Sequence, residues 1–402
     1  MLQRVFKAFQ YRDFRLMWIG ACTSTIGTWM QLVAQQWLVY TLSKDDPFFL
    51  GLDGFLGQIP IVLFSLLGGV MADRTDRRKM LLGSQYVQTA TALTLAALYF
   101  AGVVHVWHIL VLSFIVGSAQ SFGGPAYSAL IPSLVPKENL PNAIALNSIQ
   151  FNVGRVIGPA LGGITLATLG AGWCFGLNGI SFVAVIISLY IIRTGFTPAK
   201  STESVLTSMK QGIAFIRTQE GMKPLIVMSF LMTMMAIPLI TFLPVFAKEV
   251  LHGDSKTFTA LLCCSGIGSI FGALMVAGMA KTKNQGRTAL LMLIVLGFAT
   301  LVFSRSTSTI LSCVMIFFAG ASMITVFASI TSLVQAITAD SMRGRVMSVY
   351  NVAFRGGMPF GMLIVGRLIP IYTAPLTMSV VGVLTILLGL YFLLVQRRIS
   401  AL

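Results

Sequence analysis

The sequence predicts an all-α membrane protein with twelve transmembrane helices in two pseudo-symmetric six-helix halves. Three observations lead to this prediction: the composition, a series of twelve apolar runs, and the placement of lysine and arginine between those runs. Of the 402 residues, 56% are hydrophobic and 10% are charged, whereas a soluble domain carries about 25% charged residues. This composition excludes an ordinary cytosolic enzyme and a disordered protein.

Each apolar run can form a transmembrane helix, which needs about 20 residues. Helices are expected because an open sheet leaves backbone groups unpaired in lipid. Cut at charges and turn residues, the runs give spans at 16–41, 48–72, 80–101, 106–132, 142–168, 172–193, 224–247, 257–280, 288–303, 309–336, 346–369 and 374–396. The longest polar stretch separates spans six and seven. It divides the chain into an N-terminal half (1–193), a cytoplasmic linker with a short amphipathic helix (194–223) and a C-terminal half (224–402).

The net charge of +16 is explained by membrane topology. Most lysines and arginines lie at the two chain ends and in the loops on one side, and positively charged loops stay in the cytoplasm. We therefore expect both termini in the cytoplasm, and the short loops suit a bacterial inner membrane. The sequence shows no basic and aromatic surface for nucleic acid. It also shows no nucleotide-binding loop, metal cluster or nucleophile triad, so we expect no enzymatic activity, cofactor or metal.

A weak internal repeat relates the two halves. A shift of 200 residues places Arg155 on Arg355 and Pro159 on Pro359, so that R-x-x-x-P occurs in span five and again in span eleven. Internal repeats of this kind are typical of secondary transporters.

The loop after span two contains an ordered set of glycine, aspartate and arginine, with the sequence GVMADRTDRRK at 69–79. This loop resembles the signature G-x-L-A-D-R-x-G-R-R/K of the major facilitator superfamily, at the position where that family has it, with Asp76 in place of glycine. The dense DRxDRR form is similar to the branch that holds enterobactin-type siderophore exporters and drug exporters. The resemblance implies the major facilitator fold and a conformational latch made by Gly69, Asp73, Arg74, Arg77 and Arg78.

The physical basis of such a latch is a carboxylate that faces a helix N-terminus and arginines that pair with it. A basic loop that only fixes the topology is the alternative.

Span five reads GRVIGPALGG at 154–163 and resembles the G-x-x-x-G-P-x-x-G-G motif of antiporting exporters in the same superfamily. Glycines at i, i+4 and i+8 form one smooth face for close helix contact, and the proline removes a backbone hydrogen bond. The resemblance implies a hinge made by Gly154, Gly158, Pro159, Gly162 and Gly163. A tight helix pair without motion would need the same face.

One feature of drug-exporting relatives is missing from span four. Many of them carry an arginine there that is tied to proton transfer, and this chain has Ser113 at that position. Proton coupling through that residue is therefore not available.

Ionisable residues inside spans are functional candidates because they are costly in a membrane. Asp53 is the candidate for proton coupling, since a partly desolvated carboxyl has a raised affinity for protons. A wet carboxyl near Lys44 is the alternative. Arg155 and Arg355 stay charged, and each needs a partner, water or an anionic ligand, so they are candidates for substrate contact or for a structural role.

Amide side chains inside spans predict a polar cavity, because an amide that faces lipid is costly. The predicted cavity-lining residues are Gln31, Gln35, Gln58, Gln120, Asn147, Asn178 and Asn351.

Together these features predict a monomeric secondary transporter that exports a small amphipathic molecule, neutral or anionic and siderophore- or drug-like. The expected partners are this substrate, the lipid bilayer and protons as the coupling ion, and the expected mechanism is alternating access. A lipid or lysolipid transporter of the same fold, and a non-transporting scaffold or receptor, are the alternatives.

Overall fold

A computed structural model describes residues 6–192, 205–279, 285–339 and 342–394 as a chain made almost entirely of helices. A 3-10 turn at Lys7–Gln10 precedes the first long helix. Up to the first gap the helices are α1 (Arg12–Leu42), α2 (Pro47–Arg74), α3 (Arg77–Phe100), α4 (Val106–Leu130), α5 (Leu140–Thr168) and α6 (Ala171–Ile191). Two short 3-10 turns, Ile131–Ser133 and Lys137–Asn139, connect α4 to α5.

The helices beyond the first gap are α7 (Val205–Thr218), α8 (Met222–Thr241), α9 (Ser255–Met279), α10 (Gln285–Arg305), α11 (Thr309–Ile337), α12 (Arg343–Tyr372) and α13 (Ala374–Leu394). A short turn, Leu243–Val245, and a π-helical turn, Phe246–Val250, continue the line of α8.

Nine stretches of the described residues have the length and hydropathy of a membrane span, and they fall on α2, α4, α6 and α8 to α13. The helices α1, α3 and α5 are as long, but amides, hydroxyls and charges lower their mean hydropathy. The chain is therefore a polytopic helical membrane protein, and the number of twelve spans stays a prediction.

The described residues pack as two units. The first consists of residues 6–42 and 56–192, and the second consists of residues 43–55 and the described residues from 205 onward. The expected N-terminal half included all of span two, whereas the beginning of α2 packs within the second unit. The reason is a close helix contact, because Gly51 and Gly54 leave room for Met362 and Gly366 of α12.

The same helix pairings recur in the two units. In the first unit α1 packs on α5, α3 packs on α4 and α6, and α2 packs on α4 through Gly57 and Gly117. In the second unit α8 packs on α12, α10 packs on α11 and α13, and α9 packs on α11. Glycines bring two of these pairs together, since Gly357 and Gly361 of α12 lie against α8 just as glycines of α5 lie against α1.

The predicted linker is described only from residue 205 onward, and 194–204 lie outside the described residues. Its remaining part begins with α7. Ile216 of α7 is buried, and Gly212 lies against the backbone of Arg345 at the start of α12.

Candidate functional site

Asp76, which stands where the superfamily signature has glycine, is the N-cap of α3. Its carboxylate accepts hydrogen bonds from the backbone N–H groups of Arg78 (2.9 Å) and Lys79 (3.4 Å). An aspartate N-cap stabilises a helix by about 1 kcal/mol, through this bond and through the positive helix N-terminus. An aspartate just before a helix start is a sequence signal for this role.

Arg77 and Arg78 join the ends of three helices in the first unit. Arg77 donates from Nε to the carbonyl oxygen of Ala72 in α2 (3.0 Å) and from Nη1 to that of Ala129 in α4 (2.8 Å). Arg78 donates to the carbonyl oxygens of Tyr190 and Ile192 at the end of α6, at 3.0 and 3.1 Å. Helix C-termini favour cations, so the two arginines cap helices within one unit.

The other residues of the predicted latch are not brought into a common contact by the described part of the chain. Gly69 lies in α2, where an added Cβ would meet nothing within 4 Å, and Arg74 is exposed at the end of α2. The side chain of Asp73 lies outside the described residues. The latch therefore stays a prediction.

The glycine face of α5 packs against α1. Gly154 lies against Thr25, Gly158 lies against Ile26 and Trp29, and Gly162 lies against Met30. Pro159 and Gly163 are buried in the same helix. The face predicted from the i, i+4, i+8 spacing thus makes close backbone contact with the first helix, as small-residue faces do in membranes.

A chain of hydrogen-bonded side chains crosses α1, α4 and α6. Asn178 donates from Nδ2 to Oε1 of Gln31 (2.7 Å), and Gln31 donates from Nε2 to Oε1 of Gln35 (3.2 Å). Gln35 donates from Nε2 to Oγ of Ser113 (3.0 Å). Three of the predicted cavity-lining amides are therefore linked to one another and to Ser113, the residue at the span-four position discussed above.

A second polar cluster connects α4 and α5 to α1. The Tyr127 hydroxyl donates to Oδ1 of Asn147 (2.6 Å) and also lies 3.3 Å from Oε1 of Gln150. Gln150 donates from Nε2 to the carbonyl oxygen of Ala21 (2.9 Å) and contacts Thr25. Asn147 was predicted from the sequence, whereas Tyr127 and Gln150 were not, although a glutamine inside a span is itself a signal.

The remaining predicted amides lie apart from these two clusters. Gln120 donates to Oε1 of Gln88 at 3.4 Å. The Oε1 atom of Gln58 is buried and has no hydrogen-bond partner among the described residues. Asn351 is exposed on α12.

Arg155 lies in the middle of α5 with its guanidinium carbon 5.8 Å from the centre of the Trp29 ring. The described part of the chain provides neither a side-chain hydrogen bond nor an ion pair for it. A cation–π contact contributes about 0.5–2 kcal/mol, whereas an arginine at the centre of a membrane helix costs about 2.5–3.5 kcal/mol on insertion scales. In the predicted span five, the ring contact would therefore offset only part of the cost of this charge.

Arg355 has a different environment in the second unit. It is exposed and follows Phe354, whose ring lies 4.8 Å from that of Phe327 and 5.9 Å from that of Tyr350. These rings pack on one another, and the Tyr350 hydroxyl lies 2.8 Å from that of Thr331. The two predicted arginines are therefore not equivalent.

Asp53 lies near the start of α2, in the part of that helix that packs with the second unit. It is only 8% exposed, between Gly51 and Gly54, which contact α12. A separate ion pair joins Asp45 to Lys248 at 2.6 Å, while Lys44 is exposed. Asp53 is therefore a buried carboxyl in α2, and its part in proton coupling stays a prediction.

Comparison with known proteins assigns the chain to a family. The family model described as transmembrane secretion effector matches residues 4–400. The staphyloferrin A transporter of Staphylococcus aureus is 24% identical over 93% of this chain and 94% of its own length. The enterobactin exporter EntS of Citrobacter koseri is 26% identical over 82% of this chain and 79% of its own length. The multidrug efflux pump Tap of Mycolicibacterium fortuitum is 24% identical over 88% of each chain.

Solved structures agree on the fold. A POT family transporter, crystallised with a thioalcohol-conjugated peptide, aligns with a TM-score of 0.77 over 97% of both chains at 11% identity. The nucleoside transporter NupG aligns with a TM-score of 0.72 over 95% of this chain and 98% of its own, at 15% identity. At these identities the likeness concerns the fold alone.

Proposed function

Because this chain belongs to the transmembrane secretion effector family of major facilitator transporters, we propose that it exports a small amphipathic molecule, neutral or anionic and siderophore- or drug-like. The observation that carries the proposal is the match over residues 4–400 together with relatives that are named as siderophore and drug exporters. The two polar clusters within the spans of the first unit support a hydrophilic path, which a membrane scaffold would not need.

The proposed architecture has twelve spans in two six-helix halves. Support comes from α1, α3 and α5, which have the length of spans, and from helix pairings that recur in the two units. The repeated R-x-x-x-P of α5 and α12 is consistent with a duplicated half, since Pro159 and Pro359 are both buried inside their helices.

The proposed mechanism is alternating access, in which two halves rock around a central site. The glycine contact between α5 and α1 supports a mobile helix pair, because small residues leave no side chains to interlock. Pro159 would allow α5 to bend, and the loop of Gly69, Asp73, Arg74, Arg77 and Arg78 would hold one conformation closed.

Protons are the proposed coupling ion, and Asp53 is the proposed carrier. Its position inside α2, where it is only 8% exposed and lies between glycines that contact α12, supports this role. Ser113 leaves no arginine in span four for this purpose.

We place the protein in a bacterial inner membrane as a monomer with both termini in the cytoplasm. The relatives are bacterial transporters. In the predicted twelve-span topology, the loops that carry most of the lysines and arginines lie on the same side as both termini.

A lipid or lysolipid transporter is the second candidate, and one observation favours it. A cavity of about 400 Å³, lined almost only by apolar side chains, lies between α8, α12 and α13 of the second unit. Its walls include Met234, Ile364, Leu368, Leu376 and Val380. A pocket of this size falls within the range of small-molecule sites, and its lining suits an acyl chain.

Proteoliposomes of the purified protein would test the proposal. A pH gradient is imposed and lumenal pH is followed after addition of a catecholate siderophore, a neutral drug, a cationic dye or a lysophospholipid, with protein-free liposomes as the control. Proton movement on adding the siderophore or the neutral drug is the expected result. A response to the lysophospholipid alone would support the second candidate, and no response to any compound from folded protein would contradict proton-coupled export.

A further inference from the structure

Three side chains of the first unit form a cluster of one cation and two aromatic rings. The guanidinium of Arg155 lies over the Trp29 ring. The Trp29 ring meets the ring of Phe151 edge to face, with 6.1 Å between the centres and 75° between the planes. Phe151 is 51% exposed and Trp29 is half-buried, so part of the aromatic surface of this cluster is open.

The guanidinium of Arg155 has unused hydrogen-bonding capacity. It carries five N–H donors in a planar fork and cannot lose its charge. The face of the Trp29 ring stabilises the charge in part, but it is not a conventional hydrogen-bond acceptor. No side-chain acceptor for the five N–H groups is found in the described part of the chain. A carboxylate fits the fork with two parallel bonds.

The cluster lies on a face of α5 that does not suit lipid. Residues at spacings of three and four share one side of a helix. One such side of α5 carries Ile144, Ser148, Phe151 and Arg155, and these four residues are exposed or half-buried. A second exposed stripe, Ile157, Leu161 and Ile164, lies on nearly the opposite side and is wholly apolar. Serine and arginine belong on a wetted path, and the apolar stripe belongs against lipid.

We propose that Arg155, Trp29 and Phe151 form a binding site for an aromatic or amphipathic acid. The carboxylate or other anionic oxygens would pair with the guanidinium, and the flat apolar part of the ligand would lie on the two rings. This proposal rests on the proposed export function, and it narrows the substrate from neutral or anionic molecules to acids.

Arg355 provides the contrast within the same chain. It is exposed on α12, whereas Arg155 is half-buried in α5. No cation–π contact of Arg355 is found among the described residues. The selectivity for an acid is therefore assigned to Arg155.

The test uses the full chain in lipid nanodiscs and three probes with one ring system: 1-naphthoate, 1-naphthalenemethanol and 1-naphthylmethylammonium. Dissociation constants are measured by equilibrium dialysis, with empty nanodiscs as the blank for lipid partitioning. We expect wild-type protein to bind the naphthoate at least 10-fold more tightly than the alcohol, which is about 1.4 kcal/mol, and to bind the ammonium least.

Arg155→Gln should remove the preference for the acid while changing the affinity for the alcohol less than 2-fold. Arg155→Lys should keep part of the preference, because the charge remains but the fork is lost. Trp29→Leu should weaken the binding of the naphthoate and of the alcohol by a similar factor. The matched control is Arg367→Gln, an exposed arginine elsewhere on α12, which should bind like the wild-type protein.

Two results would overturn the site: wild-type protein that does not bind the naphthoate in preference to the alcohol, or a preference that survives in a folded Arg155→Gln protein. The transport assay separates this outcome from failure of the proposed function. If the preference for the acid depends on Arg155 but no transport is observed, the binding site is supported and the proposed export is contradicted. If transport is observed without a preference for the acid, the proposed export is supported and the binding site is contradicted.

Discussion

Replacing Gly158 with alanine would insert a methyl group where α5 touches α1. An added Cβ would lie 2.8 Å from the carbonyl oxygen of Ile26 and closer still to the Cβ of Trp29. These atoms belong to the backbone or sit next to it, so they cannot turn away and the two helices must separate. Overpacking of this kind costs about 1–3 kcal/mol, which raises the unfolding constant roughly 5- to 150-fold.

The matched control is Gly124→Ala on α4, where an added Cβ meets nothing within 4 Å. Alanine there should leave stability unchanged or raise it by up to about 1 kcal/mol. Stability is measured by titrating the purified protein with sodium dodecyl sulfate and following near-ultraviolet circular dichroism. Gly158→Leu should abolish flux in proteoliposomes while the protein still inserts. Equal stability of the two alanine variants, or normal flux with leucine, would refute the packing argument.

The remaining predictions concern three aspartates. Asp53→Asn should abolish pH-driven uptake into inverted vesicles but preserve substrate exchange, and an unchanged pH dependence would assign the proton to another group. Asp73→Asn should slow turnover more than it weakens substrate binding, whereas equal rates in the variant and the wild type would argue against a latch. Asp76→Ala should destabilise the protein by about 1 kcal/mol through loss of the α3 N-cap. Asp76→Ser should retain most of the wild-type stability, because serine is also an N-cap residue. Equal stability of the wild type and both variants would show that the cap contributes nothing.

Hydropathy located the helices but not their ends. The predicted span 16–41 lies within α1, which runs from Arg12 to Leu42, and the predicted span 346–369 lies within α12, which runs from Arg343 to Tyr372. Helices are the expected form inside a membrane because every backbone group must be paired. Polar residues continue a helix beyond the hydrocarbon region, and a hydropathy pattern carries no information about that extension.

Spacing along one helix predicted faces but not the partners of those faces. The glycines of α5 were assigned to one side from their spacing, yet nothing in the sequence indicates that the partner is α1. The same limit applies to Arg77 and Arg78, because a basic loop does not specify which helix ends it will cap. The start of α2 packs within the second unit because Gly51 contacts Met362 and Gly366. These residues are far away in the sequence, so the spacing within α2 could not predict the contact.

Trp29 takes part both in the close contact of α5 with α1 and in the proposed acid-binding site. Its Cβ limits the space beside Gly158, and its ring lies against Arg155 and Phe151. Because both contacts belong to one side chain, any change in the separation of α1 and α5 also moves the ring relative to the guanidinium. A ligand shifts a conformational equilibrium only through different contacts in the two states. An acid bound to this cluster would therefore favour the arrangement in which ring and guanidinium are close, which links ligand binding to the helix contact without a further residue.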